Sequence, residues 1–107
     1  MRSLFLQLTG EMPLFKIIDF LVENKGMDFS KKEIVEGSAV SRASLFQYWH
    51  VLDLYGIVKV TRKFGKAKLY TLNTNNEVTK RILDLEKALI FEALSREQRP
   101  IKTPIPA

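Results

Sequence analysis

Apolar residues recur every three or four positions in several separate stretches of this chain, which is the spacing of helices that bury one face. The first such stretch begins at Pro13, a residue suited to the first position of a helix, and ends before Gly26. Its apolar stripe consists of Leu14, Ile17, Ile18, Leu21 and Val22. We predict a helix here whose stripe faces the core.

A short second helix and a longer third helix are predicted next. Ser30 and Glu33 have the spacing of a capping box, in which each side chain pairs with the backbone N–H of the other residue. The short helix should end at about Glu36, because residues 37–40 break the pattern. The third helix is predicted over residues 41–55. Its core face should consist of Leu45, Trp49 and Leu52.

A β-hairpin is predicted after the third helix. Residues 57–61 form a β-branched, alternating run, and residues 69–72 are the predicted partner strand. The segment between them contains Gly65 and several basic side chains. We therefore predict a hairpin over residues 57–72 with a cationic tip. Residues 27–29 are predicted to be a short extended connector.

A last helix is predicted over residues 76–94, followed by a flexible, proline-rich tail over residues 96–107. Two apolar lines run along this helix. The first is a coiled-coil-like seam made of Val78, Ile82, Leu85 and Leu89. The second consists of Leu83, Ile90 and Leu94. Residues 2–8 suit either a strand or a short helix, and we expect them to pack on a neighbouring element or on a partner subunit.

The predicted elements define a fold. Their order is helix, short strand, helix, helix, strand, wing, strand and helix. This is the order of a winged helix-turn-helix, a mainly α fold with a small β-hairpin (α+β), here with an added C-terminal helix. We expect a single domain over residues 1–95 of the 107 residues.

Positive charge is concentrated in one part of the chain. Lys and Arg exceed Asp and Glu by five within residues 40–72, which equals the net charge of +5 for the whole sequence. A cationic hairpin beside a helix suits duplex DNA, because phosphates attract the charge and a helix can read base edges. Charge that serves only solubility is the alternative interpretation.

Residues 34–58, IVEGSAVSRASLFQYWHVLDLYGIV, resemble the turn, recognition helix and following strand of winged-helix transcriptional regulators. The finish resembles the Leu-x-x-Leu-x-x-x-Gly pattern of these proteins, with Trp49 at the first Leu position. Residues 66–73, followed by a long helix, are similar to small archaeal members of the MarR/ArsR-like kind. The resemblance covers residues 13–72. It implies a sequence-specific, double-stranded DNA-binding regulator, expected to be a repressor.

The resemblance implies that the outward face of the third helix enters the major groove. The candidate residues are Ser41, Arg42, Ala43, Ser44, Phe46, Gln47 and His50. Arg42 can bond guanine and Gln47 can pair with adenine, while contact with phosphate or solvent alone is the alternative for both. Ala43 or Phe46 can press on a thymine methyl, although Phe46 can instead complete the core. The two serines suit capping or phosphate contact.

The hairpin and the last helix supply further candidate contacts. Side chains that can neutralise phosphates or enter the minor groove are Arg62, Lys63, Lys66 and Lys68. One winged helix reads few base pairs, so we expect a homodimer. Its predicted interface residues are Val78, Ile82, Leu85, Leu89 and Ile90. The alternative is that the last helix only covers the first helix of its own chain.

Other functional classes are not indicated. The sequence has no cysteine and one histidine, His50, so no metal site is predicted. We find no nucleophile with a positioned base and no Gly-rich phosphate loop, and therefore expect neither an enzyme nor a cofactor. Without a secretory or membrane-spanning pattern, we expect a cytoplasmic, nucleoid-associated protein. No small-molecule effector is indicated. The alternatives are an architectural or partition DNA-binding protein and a winged-helix module that binds proteins.

Overall fold

A computed structural model describes residues 3–98. The elements are α1 Leu4–Thr9, α2 Pro13–Glu23, α3 Lys31–Ser38, α4 Arg42–Leu54, β1 Val58–Phe64, β2 Ala67–Leu72 and α5 Glu77–Gln98. Within residues 3–98, five helices and one antiparallel hairpin make a mainly helical α+β fold with the architecture of a winged helix, as predicted from the sequence.

The apolar stripe of α2 lies at the centre of the core. Four of its predicted members are buried: Ile17, Ile18, Leu21 and Val22. They belong to one cluster with side chains of α3, α4 and the hairpin, which include Ile34, Leu45, Trp49, Leu52 and Leu72. The predicted core face of α4 is therefore confirmed. Burial of these side chains fixes which face of α4 remains in solvent.

Residues 4–9 form a helix, not a strand. Phe5 and Leu6 are buried, and α1 packs against α2 and α5 of its own chain. The Ser3 hydroxyl accepts a hydrogen bond from the Leu6 N–H and donates one to Asp19 Oδ1 at 2.7 Å. The same hydroxyl therefore caps α1 and connects it to α2.

The first helix of the helix-turn-helix, α3, is longer than predicted. It ends at Ser38 and not at about Glu36, because Gly37 continues the helix and does not break it. The ring of Phe20 lies where a Cβ atom of residue 37 would stand. Glycine is thus needed for the close approach of α2 and α3, and the left-handed residue Ala39 ends the helix.

Both predicted serine caps are present in the helix-turn-helix. Ser30 Oγ accepts from the Glu33 N–H at 3.1 Å, and Glu33 Oε1 accepts from the Ser30 N–H at 2.9 Å. Ser41 Oγ accepts from the Ser44 N–H at 3.0 Å and starts α4. These caps place the first turns of α3 and α4 at the positions that the sequence predicted.

The hairpin joins the helical core through Tyr70. Its backbone forms an isolated bridge with Phe29, which confirms the short extended segment after α2. The Tyr70 ring meets the Trp49 ring edge to face, with centroids 4.8 Å apart. The register shifts between Val60 and Arg62, so that Thr61 is an extra residue in β1. Such a bulge turns the strand locally and changes the direction of the residues beyond it.

The last helix extends beyond its predicted end. α5 runs from Glu77 to Gln98, so residues 96–98, which were assigned to the tail, are helical. The rest of the predicted tail, residues 99–107, lies outside the described residues. Near the start of α5, the side chains of Ile82 and Leu83 pack against the core of their own chain. Along residues 3–98, no helix combines the length and apolarity needed to cross a bilayer.

Three carboxylates lie close together where α5 meets α2. Partial burial is the main cause that raises the pKa of Glu23, and the charges of Asp19 and Glu86 add to it. Burial and Asp19 likewise raise the pKa of Glu86, against the opposing charge of Lys25. Negative charge at this junction therefore opposes the packing of α5.

Candidate nucleic-acid interface

The outward face of α4 presents most of the predicted DNA-reading side chains to solvent. Burial of Leu45, Trp49 and Leu52 on one side leaves the other side free. Exposed there are Ser41, Arg42, Ala43, Phe46, Gln47 and His50. Phe46 is 58% exposed, so the interpretation that it completes the core is wrong.

Ser41 and Ser44 are engaged with each other at the start of α4. The Ser41 hydroxyl accepts from the backbone of Ser44 and donates to the Ser44 hydroxyl at 3.0 Å. Ser44 is only half-exposed. Of the two roles that the sequence suggested for these serines, capping is the one present in this structure.

The strand register divides the wing, residues 58–72, into two faces. Cross-strand partners share a face, so Lys63 and Lys68 lie on the same face as Val60 and Tyr70. Arg62 pairs with Leu69 and lies on the opposite face. The predicted cations of the wing therefore do not all lie on the same face of the hairpin.

Arg62 is bound to a carboxylate. Its Nε lies 2.9 Å from Asp28 Oδ2 and its Nη2 lies 3.0 Å from Asp28 Oδ1. Thr61 Oγ1 donates to the same carboxylate at 2.6 Å. The hydrogen bonds from Arg62 and Thr61 lower the pKa of Asp28. Arg62 was predicted as a phosphate ligand, but here it anchors the wing to the segment between α2 and α3.

Lys31 belongs to the candidate interface, although sequence reasoning did not select it. Its Nζ lies 4.8 Å from the ring centroid of Trp49, 5.6 Å from that of Phe46 and 5.7 Å from that of Tyr70. These distances are within the range of cation–π attraction. The capping box placed Lys31 in the first turn of α3, which was a usable signal, but the three rings meet it only in the folded chain.

Two open clefts meet at Lys31. The wing cleft, about 380 Å³, is lined by Ser30, Lys31, Lys66, Ala67, Lys68 and Tyr70. The helix cleft, about 260 Å³, is lined by Lys31, Lys32, Val35, Glu36, Arg42, Leu45 and Phe46. Because Lys31 belongs to both clefts, the cations of α3, α4 and the wing line one connected surface, called here the basic surface, which also includes the carboxylate of Glu36. Lys32 is a second cation on this surface that sequence reasoning missed.

Across residues 3–98, no group of three or more His, Cys, Asp or Glu side chains is placed to hold a metal ion. His50 is exposed on the same face of α4 as Gln47. The arrangement of cations and an exposed aromatic ring suits contact with a polyanion that also offers apolar edges.

Comparison with known proteins gives a fold relationship. No protein-family model matches the sequence. No curated protein matches it either. Among solved structures, the chain is similar to NadR in its complex with 4-hydroxyphenylacetate, with a TM-score of 0.58 and 17% identity. The match covers 89% of this chain and 68% of the NadR chain. The described fold is thus of the winged-helix type, like that of NadR.

Proposed function

We propose that this protein is a DNA-binding transcriptional regulator, expected to act as a repressor, whose α4 lies in the major groove. The observation that carries the proposal is the basic surface around Lys31. It extends from Arg42 on α4 to Lys66 and Lys68 on the wing. Phosphates on both sides of a groove can be neutralised by such a surface while α4 reads the bases between them.

The fold supports this proposal. NadR is a winged-helix regulator of the MarR family, and this chain has the same kind of fold. Fold alone does not define a function, so the proposal depends on the side chains described above. Arg42 and Gln47 are exposed near the start of α4, where base-reading residues of a recognition helix are found. Both have side chains suited to bidentate contact with purines.

A second copy of the chain is the proposed partner of α5. Ile90, Phe91 and Leu94 are 44%, 71% and 52% exposed, respectively. Ile90 and Leu94 continue the apolar line of Leu83, which packs against the core. Within residues 3–98, these side chains of α5 are therefore only partly covered. Of the five predicted interface residues, Val78, Leu85 and Ile90 are exposed, whereas Ile82 and Leu89 are partly buried.

Sedimentation of the full chain tests the proposed homodimer. The wild type should have twice the mass of one chain. Leu94→Asp places a charge in an apolar interface. It should give monomers, because the transfer of an unpaired charge out of water costs free energy. Lys80→Asp, at an exposed position near the other end of α5, should leave the mass unchanged. A monomeric wild type would remove the dimer from the proposal.

Selection of binding sites from a random duplex library tests the proposed DNA reading. We expect a defined motif, and Arg42→Ala should lose preference at one base position by about 1–3 kcal/mol. Lys66→Ala is the matched control, because loss of a phosphate contact should weaken all sequences alike. Equal affinity for all duplexes with a steep salt dependence would favour an architectural protein. Absence of binding to any duplex at low salt would overturn DNA binding altogether.

A further inference from the structure

Lys31 differs from the other cations of the basic surface in how its ammonium group is held. Rings from α4 and the wing surround it on several sides, at 4.8–5.7 Å from Nζ to the centroids. Trp49 is buried and Tyr70 is half-buried, so these two rings are themselves fixed by packing. A lysine on a free surface samples many rotamers, whereas this one has a preferred position before any ligand arrives.

The preferred position of Lys31 places it beside two further ammonium groups. Lys66 and Lys68 line the same wing cleft, on the other side of the opening from α3. The residues that line this cleft include no carboxylate. Three like charges around one opening repel each other unless an anion lies between them. Aromatic faces attract the ammonium of Lys31 without neutralising it, so its charge remains available to an anion.

We propose that Lys31, Lys66 and Lys68 together form a binding site for one backbone phosphate of duplex DNA, with Lys31 positioned in advance by Trp49, Phe46 and Tyr70. The site lies between the part of the surface that belongs to α4 and the part that belongs to the wing. It sets the distance between the groove that α4 enters and the strand that the wing follows. The inference rests on the proposed function, and gives it a specific anchor point on the DNA backbone.

Salt dependence of binding to a labelled random-sequence duplex tests this site. Lys31→Ala should lower the slope of log affinity against log salt by about one, because one phosphate contact is lost. Affinity at low salt should fall by about tenfold for every sequence. Lys31→Arg should retain the wild-type slope, since a guanidinium keeps the charge and also stacks on aromatic rings. Helical circular dichroism shows whether each variant is folded.

A matched control separates the local contact from general charge. Lys25→Ala removes the same charge beside Glu86, near α5, and should leave the slope unchanged. In the free wild-type protein, ring currents should shift the NMR signals of the Lys31 ε-methylene upfield, and duplex addition should move them further. The side chain of Lys32, which no ring surrounds in the described contacts, gives the reference signal.

The outcomes distinguish the two levels of the proposal. Wild-type binding to duplex with an unchanged slope in folded Lys31→Ala would overturn the phosphate site, and leave DNA binding intact. A slope lowered equally by Lys25→Ala would also overturn it, because the effect would then come from net charge. Failure of the wild type to bind any duplex would remove the proposed function together with this inference.

Discussion

Arg62 and Asp28 form an ion pair with two hydrogen bonds, which joins the wing to the segment between α2 and α3. The pair lies at the bulge in β1, where the neighbouring residues Thr61 and Arg62 both contact the same carboxylate. Arg62 is therefore held away from Lys63, Lys66 and Lys68, which remain exposed cations of the wing. A basic residue of the wing thus has a structural partner, while its neighbours are available to a polyanion.

Removal of the Arg62–Asp28 pair should hardly change the salt dependence of DNA binding. The double variant Asp28→Ala, Arg62→Ala keeps the net charge and removes a cation that is already neutralised. We expect its slope against salt to equal that of the wild type, whereas Lys68→Ala should lower the slope by about one. Fluorescence titration at several salt concentrations measures both. A lower slope in the double variant would show that Arg62 contacts phosphate after all.

Truncation of Phe46 and of Trp49 should change the stability of the protein by very different amounts, although both are aromatic residues of α4. Phe46→Ala removes a ring that is mostly in solvent, so the free energy of unfolding should change by less than about 1 kcal/mol. Trp49→Ala opens a cavity beside Leu45 and Leu52 and should cost about 3–5 kcal/mol.

Urea denaturation measures these two free energies of unfolding. Duplex titration measures the affinity of the same variants for DNA. Phe46→Ala should weaken DNA binding while the protein stays folded, because an apolar contact and one ring around Lys31 are lost. Full binding by this variant would exclude Phe46 from the interface.

Glu86→Gln should stabilise the protein at neutral pH. The folded-state pKa of Glu86 is raised above 4.5, mainly by burial and then by Asp19. Its protonated form is therefore favoured by folding, and this contribution is lost as the pH rises from 4.5 through the raised pKa. We expect a gain of less than about 1 kcal/mol, because the site is part-exposed and solvent screens it.

Thermal denaturation at several pH values measures the effect of Glu86→Gln. The difference from the wild type should be largest near pH 7 and should disappear below about pH 4.5, where the unfolded glutamate is also protonated. Glu97→Gln, at an exposed position of the same helix, is the control and should change the melting temperature less. A stabilisation that persists at low pH would point to a cause other than ionisation.

Gly37→Ala should destabilise the protein, against the usual preference for alanine in helices. Propensity alone predicts a gain of about 0.5–1 kcal/mol at a helical glycine. Here the added methyl would meet the Phe20 ring, and overpacking of this kind costs about 1–3 kcal/mol. Denaturant unfolding decides the sign. In a double-mutant cycle, Phe20→Leu should relieve part of the cost, and additive effects would contradict the contact.

Local signals in the sequence accounted for most of the elements. The spacing of Ile17, Leu21 and Val22 predicted α2, and the serines at 30 and 41 marked where α3 and α4 begin. These signals work because helix capping and one-sided burial act over a few residues. The end of α3 was missed for the opposite reason. Gly37 lies inside α3 because the ring of Phe20, on another helix, leaves no room for a Cβ atom there, and no neighbour in the sequence reveals that ring.

The candidate interface was predicted only in part. Arg42, Gln47 and His50 were found because a buried stripe on α4 determines which residues lie opposite it. Their contact with DNA remains a prediction. The partner of Arg62 was not predictable, since Asp28 is 34 positions away in the sequence.

By itself, the sequence determined the order of the elements from α2 to α5, the buried faces of α2 and α4, and the region of excess positive charge. All of these depend on the spacing of residue types along the chain. Only the tertiary structure decided that Lys31 stands among three aromatic rings, that Arg62 is paired and that Ile90 and Leu94 extend past the core. Those features arise from contacts between distant segments, whose relative positions are fixed when the shared core packs.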